Sequence, residues 1–150
     1  MSLLSLRLNR TCILNSSDET LNLGKEVARF LKKPTVIFLK GDLGSGKTTF
    51  SKGFISEKTQ EPLSTITSPT FTYMNQYEGI TCSVVHFDLY RLDNQIQFFS
   101  MGFEEIVNAP VFSLIEWPEI IEGAVPAGLI LKFSEYGEKR KVELIGEALE

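Results

Sequence analysis

The chain is poor in the residues that build disulfides and metal centres. It has two cysteines, Cys12 and Cys82, and one histidine among 150 residues. Two thiols are too few for a disulfide framework, and neither has a second Cys or a His at the spacing of a metal site. We therefore expect both thiols to be free and the protein to work in a reducing compartment, the cytoplasm.

Long apolar stretches are also absent. No run reaches the ~18 residues that are needed to cross a bilayer, so we expect no membrane segment. Residues 1–15 carry scattered arginines and no unbroken apolar stretch before a small-residue cleavage site. That is not the pattern of a signal peptide.

A surplus of positive charge is missing as well. Lys and Arg number 15 against 19 for Asp and Glu, which gives a net charge of −4. Autonomous binding to RNA or DNA needs an excess of cations on one face to contact the phosphates. The composition therefore indicates a poor autonomous binder of RNA or DNA, and a role at nucleic acid would have to be shared with a partner.

The residues that are present are those of a globular domain. Hydrophobic residues make up 43% of the chain and include 11 Phe, which is enough for a sizeable core. No internal repeat, low-complexity tract or Pro/Gly/Ser linker divides the sequence. We expect a single domain over residues 1–150.

Hydrophobic periodicity predicts strands that alternate with helices. The expected strands lie at residues 3–8, 35–39, 70–77, 80–88, 111–116, 129–133 and 139–145. The unbroken apolar runs at 35–39 and 111–116 are typical of the buried centre of a parallel sheet. Hairpins are expected at Glu78-Gly79, with Gly79 at positive φ, and around Tyr136-Gly137.

Helices are predicted between these strands. The first begins at a capping box formed by Ser16 and Glu19 and ends before Pro34. A second follows residues 41–48, a third spans 94–107 with a break at Gly102, and a short one opens at Pro118. This order predicts an α/β sandwich with a mixed sheet.

Residues 41–48, GDLGSGKT, carry the strongest chemical signal, because they match G-x-x-x-x-G-K-[ST]. Glycines let the backbone bend so that successive amides converge on one anion, and the helix that follows adds its own amides. Lys47 is expected to reach the β- and γ-phosphates, and the Thr48 hydroxyl to bind Mg²⁺. An apolar strand before the motif and a helix after it favour a nucleoside triphosphate site over a plain turn.

Such a site also needs a carboxylate at the end of a neighbouring buried strand. Asp88 and Glu116 both qualify, since each follows an apolar strand. We expect one to hold the metal or its water and the other to lie near the γ-phosphate. The sequence leaves open which acid has which role.

Three further features have two interpretations each. Residues 65–71, TITSPTF, are either a loop that senses the γ-phosphate or a plain Ser/Thr-rich turn. Arg91 is either an arginine finger or the partner of an acid, and Trp117 is either core or an exposed anchor. His86 is favoured as a hydrogen-bond partner rather than as a base.

Taken together, four segments resemble the TsaE (YjeE) family. They are GDLGSGKTT at 41–49, SPTF at 68–71, HFDLYRL at 86–92 and LIEW at 114–117. The family comprises small bacterial P-loop ATPases required for threonylcarbamoyladenosine at position 37 of tRNAs. The resemblance implies a single P-loop NTPase domain, a three-layer sandwich whose mixed central sheet is mainly parallel and carries β-hairpins.

The resemblance also implies a site that binds ATP or ADP with Mg²⁺. Thr48 and Glu116 would hold the metal, and Lys47, Asp88 and Glu116 would be the catalytic residues. The residues implied in nucleotide binding are Ser17, Gly41, Asp42, Leu43, Gly44, Ser45, Gly46, Lys47, Thr48, Thr49, Ser68, Thr70, Glu119 and Arg140.

The implied activity is slow ATP hydrolysis that acts on a heterodimer of the TsaD and TsaB proteins, with tRNA contacted only indirectly through that complex. A small-molecule kinase of the P-loop class is the alternative, although the chain has no insertion that resembles an arginine-bearing lid. A nucleotide-binding module without turnover is the third class.

Overall fold

A computed structural model describes residues 10–146. Its strands are β1 (Arg10–Leu14), β2 (Val36–Lys40), β3 (Met74–Glu78), β4 (Ser83–Asp88), β5 (Phe112–Glu116), β6 (Leu129–Tyr136) and β7 (Lys139–Gly146). Its helices are α1 (Ser17–Phe30), α2 (Lys47–Thr59), α3 (Gln95–Ser100) and α4 (Phe103–Val107), with 3-10 turns at Leu63–Thr65 and Pro118–Ile120. The strand expected at 3–8 lies outside the described residues, and β1 was not predicted.

The seven strands form one sheet in the order β1-β7-β6-β2-β5-β4-β3. The four neighbours β6, β2, β5 and β4 run parallel, whereas β7, β1 and β3 are antiparallel to their partners. Every residue of β5 is buried, as are the three middle residues of β2. The unbroken apolar runs therefore occupy the centre of the sheet, as the sequence predicted.

Helices cover both faces of this sheet. Alternate residues of the strands divide the core, because successive side chains of a strand point to opposite faces. Ile37 and Leu39 pack with α1 and α2 on one face, whereas Phe38 packs with the phenylalanines of α3 and α4 on the other. The result confirms the three-layer sandwich. Among the described residues, no helix is long and apolar enough to span a membrane.

Local signals at the helix ends agree with the sequence in most details. Ser16 caps α1 by accepting a hydrogen bond from the Glu19 amide at 3.2 Å. The Glu19 carboxylate accepts from the amide of Asn15 rather than from that of Ser16, so the capping box is shifted by one residue on that side. Gly102, with φ +79°, separates α3 from α4 as predicted.

The hairpin between β3 and β4 differs from the prediction. Residues 79–82 form a four-residue connection, and Gly79 is not among the glycines with positive φ. Glycine is needed there for another reason: a Cβ would lie 3.0 Å from both the Lys58 carbonyl oxygen and the Thr59 Cα at the end of α2. The β6–β7 hairpin instead has a two-residue connection in which Gly137 takes φ +64°.

Close contact between α1 and α2 depends on two glycines. A Cβ on Gly24 would lie 2.2 Å from the Phe50 carbonyl oxygen, and a Cβ on Gly53 would lie 2.1 Å from that of Leu21. Both obstacles are backbone atoms inside helices, which cannot move aside like a flexible side chain. The first residues of α2 therefore sit where this helix contact fixes them.

We predict that Gly24→Ala lowers the free energy of unfolding by about 1–3 kcal/mol, because the methyl group forces the two helices apart. Urea unfolding measures the loss. Gly123→Ala is the matched control, since no atom lies within 4 Å of its added Cβ. Equal stability of the two variants would contradict the contact.

Candidate functional site

The connection between β2 and α2 bends around three glycines. Gly41, Gly44 and Gly46 have φ values of +151°, +75° and +109°, a region that side chains disfavour. A Cβ on Gly41 would also lie 2.7 Å from the Ser45 hydroxyl oxygen. The first helical bond of α2 runs from the Phe50 amide to the Gly46 carbonyl. The amides before Phe50 in this first turn consequently have no partner within the helix, as at any helix start.

Two carboxylates meet beside this loop. Asp88 ends β4, Glu116 ends β5, and the parallel register pairs the two residues directly. Glu116 is only 3% exposed, and both of its oxygens accept from the Thr48 hydroxyl, at 3.3 and 3.2 Å. The first turn of α2 is thus joined to the end of β5.

His86 supports Glu116 from below the site. Its Nε2 donates to Oε2 of Glu116 at 2.6 Å, and the imidazole is fully buried. This contact bears out the interpretation of His86 as a hydrogen-bond partner. Its other ring nitrogen, Nδ1, is buried without a hydrogen-bond partner among the described residues, and His86 does not line the cavity described below.

Asp88 has different partners. Its Oδ2 accepts from the Ser68 hydroxyl at 3.4 Å, and its Oδ1 accepts from the Tyr90 amide at 3.0 Å. Burial raises the pKa of this carboxyl above its ordinary value, although the Tyr90 amide acts in the opposite direction. Glu116 therefore faces Thr48, whereas Asp88 faces the segment at 65–71, and the two acids are in distinct environments.

The Lys47 amine is held at the inner end of the loop. The side chain is buried, and Nζ donates to the Gly41 carbonyl and lies 3.4 Å from the centroid of the Trp117 ring. Burial lowers its pKa, while nearby carboxylates, chiefly that of Glu116, act to raise it. A cation that is partly stripped of water is poised to contact an anion that enters the loop.

Trp117 is not part of the buried core, and its role as an exposed anchor for a partner stays a prediction. It is partly exposed, takes φ +58°, and lines the cavity beside Lys47. Its ring packs against that of Tyr90, with centroids 4.9 Å apart. Arg91 makes no ion pair with an acid among the described residues; its guanidinium lies 4.8 Å from the ring centroid of Phe71.

These side chains line a cavity of about 280 Å³. Of the residues implied by the sequence, those that line it are Ser17, Leu43, Gly44, Ser45, Gly46, Lys47, Thr48, Thr49, Ser68, Thr70, Asp88, Glu116 and Arg140. Thr20 and Trp117 line it too but were not predicted to do so. Thr20 lies one turn after the α1 cap and carries no motif that would reveal it.

Gly41, Asp42 and Glu119 do not line the cavity. The carbonyl of Gly41 accepts from Lys47, and the carbonyl of Asp42 accepts from the Ser45 amide in the turn of the loop. The carboxylates of Asp42 and Glu119 both act to raise the pKa of Lys47. All three residues lie outside the cavity lining, and the charges of Asp42 and Glu119 act on Lys47.

The donor set fits a polyphosphate with a hard cation. Unpaired helix amides and a buried amine suit phosphate oxygens, and a hydroxyl beside a carboxylate supplies the oxygen ligands that Mg²⁺ prefers. No group of three or more His, Cys, Asp or Glu side chains among residues 10–146 is arranged to hold a metal. A metal here would depend on phosphate oxygens for further ligands.

We predict that His86→Phe costs about 1–3 kcal/mol more stability than His86→Gln. Both side chains fill the buried space, but only glutamine keeps a donor for the Glu116 carboxylate, and an unpaired buried carboxylate is costly. Chemical denaturation of the two variants gives the difference. Equal losses would mean that the contact with Glu116 contributes nothing to stability.

The sequence is similar to known proteins over most of its length. The family model described as "Threonylcarbamoyl adenosine biosynthesis protein TsaE" matches residues 14–142. A TsaE protein of Rickettsia conorii is 41% identical over 117 residues, which cover 78% of this chain and 66% of that protein. A TsaE protein of Aquifex aeolicus is 34% identical over 140 residues, covering 93% and 98% of the two chains.

The fold comparison agrees. The crystal structure of Bacillus subtilis YdiB aligns with a TM-score of 0.73 at 29% identity, covering 93% of this chain and 86% of that one. The matched range 14–142 includes the glycine-rich loop, both acids and Trp117. The chain belongs to the TsaE family of threonylcarbamoyl adenosine biosynthesis proteins.

Proposed function

We propose that this chain is the Mg²⁺-dependent ATPase of tRNA threonylcarbamoyladenosine biosynthesis and acts on a TsaD–TsaB complex. The role in this tRNA modification is supported by membership of the TsaE family. ATP binding, its hydrolysis and the partner complex are our proposal. The observation that supports it best is the contact of Thr48 with Glu116 beside a glycine loop of the P-loop pattern.

The loop and α2 would bind the triphosphate. The amides of residues 46–49, which precede the first helical bond of α2, would face the phosphates, because the helix dipole favours negative charge there. The Lys47 amine, now in contact with the Gly41 carbonyl and the Trp117 ring, would turn to the β- and γ-phosphates. Arg140 and Ser17 would approach the nucleotide from the rim of the same cavity.

Thr48 and Glu116 would hold the metal. A Mg²⁺ ion held by these two residues would supply positive charge to offset the negative charge that develops during phosphoryl transfer. The Thr48 hydroxyl would exchange its contact with Glu116 for a bond to the metal. His86 would keep the Glu116 carboxylate in place while this exchange occurs.

Asp88 would orient the attacking water. Its carboxylate is fixed by Ser68 and by the Tyr90 amide, and burial raises its pKa. A carboxylate with a raised pKa is a better proton acceptor than an ordinary aspartate. Ser68 and Thr70 line the cavity from the segment at 65–71 and would contact the γ-phosphate. The conformation of this segment would then depend on whether the γ-phosphate is present or has been hydrolysed.

The surface of the chain is consistent with a protein partner in place of direct tRNA contact. The net charge of −4 does not suit autonomous RNA binding. Leu43, at the rim of the cavity, and Phe71, next to Thr70, are 71% and 77% exposed. In the proposed function, a protein partner would cover these two side chains.

We expect Lys47→Met to weaken MgATP binding by about 10- to 100-fold, because it removes a charged donor to the phosphates. Methionine matches the length of the buried stem, so the fold should be retained. Titration calorimetry measures the Kd. Lys52→Met, on the same helix but outside the cavity, should bind MgATP as the wild-type protein does. Unaltered affinity in Lys47→Met would contradict the proposed triphosphate site.

We further expect Glu116→Gln to reduce ATP turnover in the presence of TsaD and TsaB by at least about tenfold and to raise the Mg²⁺ concentration needed. Glutamine is preferred to alanine because Glu116 is buried between His86 and Thr48. Phosphate release is measured, with Glu105→Gln on the exposed face of α4 as the control. Full turnover in Glu116→Gln, or transfer of phosphate to a metabolite instead of water, would contradict the proposal.

A further inference from the structure

The segment at 65–71 is attached to the edge strand β3 through the backbone of one residue, Thr67. Asn75 Nδ2 donates to the Thr67 carbonyl at 3.2 Å, and the Tyr77 hydroxyl lies 3.4 Å from the same oxygen. The Thr67 amide donates back to the Tyr77 hydroxyl oxygen, also at 3.4 Å. The backbone N–H and C=O of Thr67 thus both form hydrogen bonds with side chains of β3, although Thr67 itself is exposed.

Packing and strand pairing hold the side chains of Asn75 and Tyr77 in place. Asn75 and Tyr77 are two residues apart, so they project from the same face of the strand. The Tyr77 ring packs against the core between the sheet and helices α1 and α2. Asn75 is the register partner of His86, the residue that supports Glu116. The hydrogen bonds to Thr67 therefore come from a part of the sheet that is fixed by packing.

Thr67 directly precedes the part of the segment that enters the site. Ser68 donates to Asp88, and Ser68 and Thr70 both line the cavity. On the other side of Thr67, Ile66 is buried in the same core as the Tyr77 ring. The backbone of Thr67 is consequently held by the sheet directly before the hydroxyl groups that face the site.

We propose that Asn75 and Tyr77 are positioning residues: they hold the backbone amide and carbonyl of Thr67 and thereby place the Ser68 hydroxyl on Asp88. This proposal rests on the proposed ATPase function, since its consequence is a slower hydrolytic step. Neither residue lines the cavity, so neither contacts a bound nucleotide. Their loss should reduce kcat and leave nucleotide affinity unchanged.

The first test needs no nucleotide. Tyr77→Phe removes only the hydroxyl and keeps the ring that packs in the core. In the unliganded chain, we expect exchange of the Thr67 amide with solvent to become about fivefold faster, because its acceptor is gone. NMR-detected hydrogen exchange measures this. Gln76→Ala is the matched control, because Gln76 lies on the same strand and its side chain donates to Glu78 instead.

The second test measures turnover of MgATP with TsaD and TsaB and, separately, the Kd for MgADP. Asn75→Ala combined with Tyr77→Phe should lower kcat about tenfold while the Kd stays within about twofold. Ser68→Ala should lower kcat by itself, and adding Tyr77→Phe to it should cause no further loss. This non-additive result would not arise from a general loss of stability.

Three results would overturn the proposal. They are an unchanged kcat in the Asn75 and Tyr77 variants, a parallel loss of kcat and nucleotide affinity, and additive losses with Ser68→Ala. If the wild-type protein neither binds MgATP nor releases phosphate, the proposed function itself is wrong. That outcome is recognised in the wild-type protein, before any variant is made.

Discussion

The contact between Thr48 and Glu116 joins the two parts of the structure on which the site depends. Thr48 belongs to the first turn of α2, and Glu116 ends the central strand β5. Because β2 and β5 are parallel neighbours, the loop after one and the acid at the end of the other reach the same edge of the sheet. The close contact of α1 with α2 fixes the helix on its other side.

Three charged groups lie close to this contact, and the chain supplies each of them with partners. A lysine and two carboxylates lie in a partly buried site, which costs solvation free energy for each of them. Lys47 is supported by a carbonyl and an aromatic ring, and Glu116 by an imidazole and a hydroxyl. These are weaker partners for ions than phosphate oxygens and Mg²⁺. In the proposed function, the protein would exchange these contacts for those of MgATP.

The sequence predicted the parts of the site that depend on local pattern. The motif at 41–48 and its flanking apolar strand placed the glycine loop, and the strand ends placed both acids. Local pattern did not separate their roles, because these depend on the register of β4 and β5 and on which hydroxyl reaches each carboxylate. The contact of Lys47 with Trp117 and the hydrogen bonds from β3 to Thr67 join residues that are distant in sequence, so no spacing reveals them.

The errors in the fold have similar causes. Residues 10–14 become a strand only by pairing with β7, and their own alternation is too short to predict it. Gly79 was expected to serve a tight turn, but it is required by the approach of the α2 end, a contact across the fold. The Ser16 cap of α1 and the break at Gly102 were predicted correctly because they are determined within a few residues.

A crystal structure with Mg²⁺ and a non-hydrolysable ATP analogue tests the central claim most directly. The account predicts that the metal binds the Thr48 hydroxyl, with the Glu116 carboxylate as a ligand or one water away, and that Lys47 leaves the Trp117 ring for the phosphates. A metal bound to Asp88 while Thr48 still donates to Glu116, or a triphosphate bound away from residues 44–49, would contradict it.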